Sequence, residues 1–364
     1  MKLTGSERGY GVRLRADNSG TGFGLCLAVI MLAVFCFAPF TGCSAEPCER
    51  QLFAMDTFMQ LKVYGKDAEV AVEGAVKIIS RLDGLLSATE TGSEISAVNL
   101  GARAVPVSSE TFDIISRALD FSAEAGDCFD ITLRPVLRAW GFLGGENRVP
   151  QPEELEALLL KVDDSRILLD SDLHTVLLPE GAEAELGALA KGYAGDKAAE
   201  YMRSMGISSA LLDLGSSTIV AIGEKPDGSA WRVAVRDPND PSAYAGVIEA
   251  RNTSISTSGG YERYFEDDAG NKYWHIIDPA TGRPAESGVL SVTVLCSEAF
   301  YGDGLSTALF VMGADAASEY WRTHGGFEFL MLLEDGSIIL TPGADSAFTP
   351  SGDWQNAPKR VIEG

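Results

Sequence analysis

Six short apolar runs crowd the second half of this chain, at 208–214, 218–223, 231–236, 246–250, 273–277 and 289–296, and no regular strand-helix alternation joins them. Parallel sheets are built from that alternation, so its absence predicts a largely antiparallel sheet. Apolar residues at helical spacing add helices over 67–86, 109–125, 152–161, 188–205, 301–312 and 315–324. A strand at 56–64, paired strands at 166–170 and 175–178 and a hairpin over 327–341 complete the pattern. There is no internal repeat. The expected fold is α+β, one domain over 55–341 with helices packed on a largely antiparallel sheet. The Pro-, Gly-, Ser- and Asp-rich residues 342–364 read as a loose tail.

The first 42 residues do not fit that pattern. Arg8, Arg13 and Arg15 precede an uncharged apolar stretch, Phe23 to Phe40, followed by Thr41-Gly42-Cys43. This is the layout of an export signal, residues 1–42. The ending resembles a bacterial lipobox with Cys43 as the lipidated residue, and 43–54 then read as a linker. At 18 residues the apolar stretch also reaches the lower limit of a spanning helix, so a retained anchor is the competing reading. Both readings put the domain outside the cytoplasm, against a membrane.

A formal charge of -23 and the lack of any basic run of five exclude nucleic acid as the natural partner. An anionic substrate must instead be captured by local cations or a metal. Cys48, Cys128 and Cys296 remain beyond the leader, with no metal-like spacing, and an odd count leaves at least one free thiol.

Several short motifs carry chemistry. His275 closes an aromatic strand-like run just before the Asp278-Pro279 and Thr281-Gly282 turn signals, which puts an imidazole at a strand end facing a loop. A core histidine is the alternative. Asp303 and Thr307 stand four apart at the start of an apolar helix, on one face, where they can offer two oxygens to a hard cation; a helix-start Asp above a buried Thr is the plainer account. Glu185 to Asp196 sets Lys191 between glycines at a loop-to-helix junction suited to a phosphate, or to close packing alone. Asp130 and Phe142 flank a Pro-initiated helix.

Taken in order, Met55-Asp-Thr, Ser93 to Asn99, Phe129-Asp-Ile-Thr with Trp140-Gly-Phe, Leu186-Gly-Ala-Leu-Ala-Lys-Gly-Tyr, Thr257-Ser-Gly, His275-Ile-Ile-Asp-Pro-Ala-Thr-Gly and Asp303 to Thr307 resemble the ApbE family of exported FAD:protein FMN transferases. The resemblance spans roughly 50–325. It implies Mg²⁺ held by the main-chain carbonyl at Ala188 and the side chains of Asp303 and Thr307. It implies FAD lying against Met55, Phe129, Asp130, Glu185, Lys191 and Ile277. The implied reaction joins FMN through its phosphate to a threonine or serine hydroxyl of an exported acceptor protein, releasing AMP. Asp303 or His275 would then assist loss of the hydroxyl proton, or His275 would hydrogen-bond the pyrophosphate.

Two other activities fit the same residues: Mg²⁺-dependent hydrolysis of FAD to FMN and AMP, and non-enzymatic FAD binding by a lipoprotein. Family acceptors carry a short Asp-x-x-Ser/Thr-Gly-Ala/Ser-Thr/Ser sequence, which is absent here. The chain departs from the family pattern in having Glu185 where Asp is usual, Ala88-Thr89 where many relatives place an aromatic, and Ser216-Ser217 after Gly215.

Overall fold

The computed structural model describes residues 46–364. Its centre is a nine-stranded sheet whose strands, numbered within that sheet, are β1 (Cys48–Ala54), β2 (Thr57–Tyr64), β3 (Ser209–Asp213), β4 (Thr218–Gly223), β5 (Ser254–Gly259), β6 (Val289–Cys296), β7 (Phe327–Leu333), β8 (Ile338–Leu340) and β9 (Lys359–Val361). They lie side by side in chain order. Each neighbouring pair is antiparallel except β8 and β9, which run parallel.

The helices are α1 (Ala68–Leu86), α2 (Glu94–Leu100), α3 (Ser109–Ala125), α4 (Arg134–Trp140), α5 (Pro152–Leu159), α6 (Ala190–Ser204), α7 (Ala299–His324) and α8 (Pro342–Ala347). Local chemistry sets their ends: the Ser108 side chain accepts from Thr111 N at the start of α3, and Gly126 takes a left-handed φ of 60° beyond its end.

The sheet is apolar on both faces, which explains why residues 329–333 of β7 read as an unbroken apolar run. Phe327, Phe329 and Met331 enter the core shared with α1, α3, α6 and α7, while Leu330 and Leu332 enter a second core. A small antiparallel sheet of strands Trp231–Arg236, Tyr244–Ala250 and Phe348–Pro350 covers that second face. Alternate residues of a strand point to opposite faces, so a strand buried on both sides loses its alternation.

Two expectations are corrected. Residues 342–364 are not a loose tail: they form α8, the strand Phe348–Pro350 and β9, anchored by buried Phe348, Trp354 and Ile362. Residues 48–54 are not a linker but edge strand β1, paired with β2 along its whole length. The helices expected at 301–312 and 315–324 are present as the two segments of α7, separated where Gly313 leaves helical geometry (φ 75°, ψ 173°). The expected leader 1–42 and Cys43 lie outside the described residues.

Candidate active site

A cavity of about 510 Å³ opens between the β1–β2 turn, the loop before α6, the start of α7 and the segment 257–279. Met55, Phe129, Asp130, Glu185, Ala188, Lys191, His275, Ile277, Asp303 and Thr307 all line it. The site residues anticipated within the described chain are therefore brought together by the fold, although they span 252 positions from Met55 to Thr307.

Asp303 sits in the first turns of α7 and is 7% exposed. Its Oδ1 accepts from Ser256 Oγ at 2.7 Å and Thr218 Oγ1 at 2.8 Å, and its Oδ2 accepts from Gly192 N at 2.7 Å. A carboxylate oxygen offers about two acceptor sites, so Oδ1 is saturated and Oδ2 retains one. Burial pushes the Asp303 carboxyl up from its ordinary range, opposed by nearby Lys191 and by these three donors.

Gly192 N is diverted to Asp303, which leaves the Ala188 carbonyl without the partner that continued helical bonding would supply. Thr307 Oγ1 lies 3.2 Å from Ser258 Oγ and donates to the Asp303 carbonyl at 3.2 Å. A free carboxylate lone pair, an orphaned carbonyl and a hydroxyl suit a hard cation that completes its shell with water or phosphate oxygen. Among the described residues no group of three or more His, Cys, Asp or Glu forms an all-protein cage. The diversion takes the Gly192 N–H out of the expected phosphate cradle at the start of α6.

Lys191 and Arg263 are the basic residues lining the cavity among those described, and neither has a carboxylate within ion-pair distance, although Asp56, Asp83, Glu90, Asp130, Glu185, Glu262 and Asp303 line it too. Arg263 was not anticipated from the sequence; it follows the quoted Thr257-Ser-Gly motif by only four residues.

His275 follows the short strand Lys272–Trp274. Its Nδ1 lies 3.2 Å from the Arg263 carbonyl, which can only accept, so Nδ1 carries the proton and Nε2 bears the lone pair. Burial, with Arg263 and Lys191 nearby, pulls its pKa down from the ordinary value of 6.5 to about 4.

Four anticipated flavin contacts have structural duties as well. Asp130 accepts from Thr132 N at 2.6 Å and Asp164 N at 3.1 Å, tying together the loop before α4. Glu185 is paired with buried Arg134 at 2.6 Å, and Arg134 also faces Glu183 at 3.4 Å. Phe129 packs edge-on against Phe121 at 5.0 Å, and Ile277 joins Val136, Trp140 and Leu155 in a small core beside the cavity.

Solved structures share this arrangement of sheet and helices. The ApbE protein of Thermotoga maritima superposes with a TM-score of 0.77 at 30% identity, covering 83% of this chain and 99% of that one. The Pseudomonas stutzeri flavinyl transferase ApbE gives 0.74 at 27% identity, over 84% and 98%. The fold is thus that of the flavin transferases, a class of enzymes. In sequence, FAD:protein FMN transferases of Salmonella typhimurium and Treponema pallidum are 33% and 30% identical, over 85% and 86% of this chain and 92% of each relative. The ApbE family model matches residues 55–331, and the chain belongs to the ApbE family.

Proposed function

We propose that this protein transfers FMN from FAD to a serine or threonine hydroxyl of an exported acceptor protein, with Mg²⁺ bound, releasing AMP. The observation that carries the reading is the cavity's pairing of two uncommitted cations, Lys191 and Arg263, with a cation-suited oxygen set at Asp303, Thr307 and the Ala188 carbonyl. A pyrophosphate needs both kinds of partner. Export and lipidation at Cys43 belong to the same proposal, since an exported acceptor requires an exported enzyme.

Held by Asp303, Thr307 and the Ala188 carbonyl, Mg²⁺ would neutralise charge on the pyrophosphate. Lys191 and Arg263 bind the same phosphates from the protein side and fix their orientation. The acceptor oxygen forms a bond to the FMN-side phosphorus; the bond from that phosphorus to the bridging oxygen breaks; AMP leaves with the bridging oxygen and its electron pair. The hydroxyl proton passes to His275 Nε2. A neutral imidazole whose free nitrogen is an acceptor suits a hydroxyl better than a phosphate oxygen, which has no proton to give. The negative charge of bound FAD favours the imidazolium and raises the basicity of His275 when it is needed.

The test incubates the protein with FAD, Mg²⁺ and a recombinant acceptor domain carrying the Asp-x-x-Ser/Thr-Gly-Ala/Ser-Thr/Ser segment, following flavin fluorescence on a denaturing gel and AMP in solution. Labelled acceptor and AMP in equal amounts are expected, both lost in Asp303→Ala. AMP without labelled acceptor would establish hydrolysis instead, and neither product would leave flavin storage.

A further inference from the structure

The β1–β2 turn carries an exposed aromatic pair at the cavity mouth. Phe53 and Phe58 face each other across the two strands, one step from the turn, with ring centroids 5.1 Å apart and planes at 70°. They are 62% and 79% exposed. The turn itself is strained: Met55 and Asp56 have φ of 51° and 59°, left-handed values that non-glycine residues adopt only when their surroundings enforce them. Asp83 supplies part of that enforcement by accepting Met55 N at 2.9 Å, so the rings are held at the rim by a fixed turn.

The pair straddles the rim. Phe53, Met55, Asp56 and Thr57 line the cavity, whereas Phe58 does not. A ligand seated inside reaches Phe53 alone; covering Phe58 takes a body that stands outside. In the proposed reaction the hydroxyl must reach His275 and Asp303 within the cavity, so the polypeptide bearing it crosses this mouth. We propose that Phe53 and Phe58 form the docking platform for the acceptor protein, taking an apolar side chain that flanks the modified serine or threonine. The inference rests on the transferase reading. Exposed aromatics that lose water against a partner are common energetic anchors of protein interfaces.

The test is Phe58→Ser, at a position outside the cavity and exposed enough that the fold should tolerate it, with Phe58→Trp as the conservative variant. Binding of the recombinant acceptor domain is measured by biolayer interferometry without turnover, and KM for the acceptor and Kd for FAD are measured separately. Phe58→Ser should weaken acceptor binding and raise its KM about tenfold, with FAD affinity unchanged, and Phe58→Trp should restore both. Unchanged acceptor binding overturns the proposal. So does a matching loss of FAD affinity, which would place the rings in the flavin subsite. Phe58-dependent flotation with phosphatidylcholine vesicles alongside an unchanged acceptor KM would overturn it in favour of a lipid surface. Failure of the wild type to label the acceptor, with Phe58-dependent binding intact, would overturn the transferase reading rather than the platform.

Discussion

Asp196 and Asp303 cap each other's helices. The Asp196 carboxylate, on α6, accepts from Ala299 N and Phe300 N at 2.8 Å each, satisfying the first turn of α7. Asp303, on α7, accepts from Gly192 N at 2.7 Å in the first turn of α6. Unpaired N–H groups at a helix start need acceptors, and here each helix takes its acceptor from the other. The residue proposed to hold the metal is thereby fixed by the same bonds that join the two helices.

Replacing Asp196 should therefore damage more than stability. Asp196→Asn keeps the shape but faces an N–H with an amide donor, losing one of the two bonds. We expect a loss of about 1 to 2 kcal/mol in urea unfolding. The concentration of Mg²⁺ needed for half-maximal transfer should also rise, and Mn²⁺ affinity measured calorimetrically on the FAD-loaded protein should fall. A merely structural role would lower stability and leave metal affinity unchanged.

Gly192 permits the arrangement. A Cβ there would stand 2.2 Å from the Ala299 carbonyl oxygen, a backbone atom fixed by the Asp196 cap. Gly192→Ala must push α7 away from α6, and a loss of at least about 2 kcal/mol is expected from this overpacking, despite alanine's better helix propensity. Thermal unfolding checks the sign: a more stable Gly192→Ala would mean that the helices yield without strain.

Much of this was legible in the sequence because burial leaves a period. Strands 218–223 and 289–296 and helix 109–125 lie where their apolar spacing puts them. What was missed lacks that signal. In β5, Ser254-Ile-Ser-Thr-Ser-Gly, the alternating residues are serines; Ser256 turns inward to Asp303 and Ser258 to Ser306, so polarity hides a buried strand. The tail's composition reads as loose although three buried side chains anchor it. At the site, motif residues could be quoted one by one, but Thr218, Asp196 and Arg134 acquire meaning only from partners 49 to 104 positions away.

Arg134 and Glu185 make a further test. Arg134 is buried and holds Glu185 at 2.6 Å beside the cavity. Arg134→Met should cost about 3 kcal/mol, since it leaves Glu185 without its cation in a poorly solvated place, while Glu183 keeps Arg138. Adding Glu185→Gln should recover part of that loss, and denaturant unfolding of the two single variants and the double variant measures the coupling. Simple additivity would show that the pair is solvated and contributes little.

The last prediction concerns pH. His275 has its pKa pulled down to about 4 by burial and by Arg263 and Lys191, against about 6.5 for an unfolded histidine. Between those values the unfolded chain binds a proton that the folded one does not. The contribution of His275 to stability is therefore complete above about pH 6.5 and is lost as pH falls toward 4. Relative to His275→Asn, which does not titrate, the wild type should lose stability through that window and gain none above it. Bound FAD supplies negative charge beside the imidazole and should shift its titration upward, as the proton-accepting role requires. Proton NMR of the imidazole carbons with and without FAD measures both values. Titration near 6.5 in the free protein would refute the desolvated neutral histidine, and an unchanged value on binding FAD would remove His275 from the pyrophosphate's surroundings.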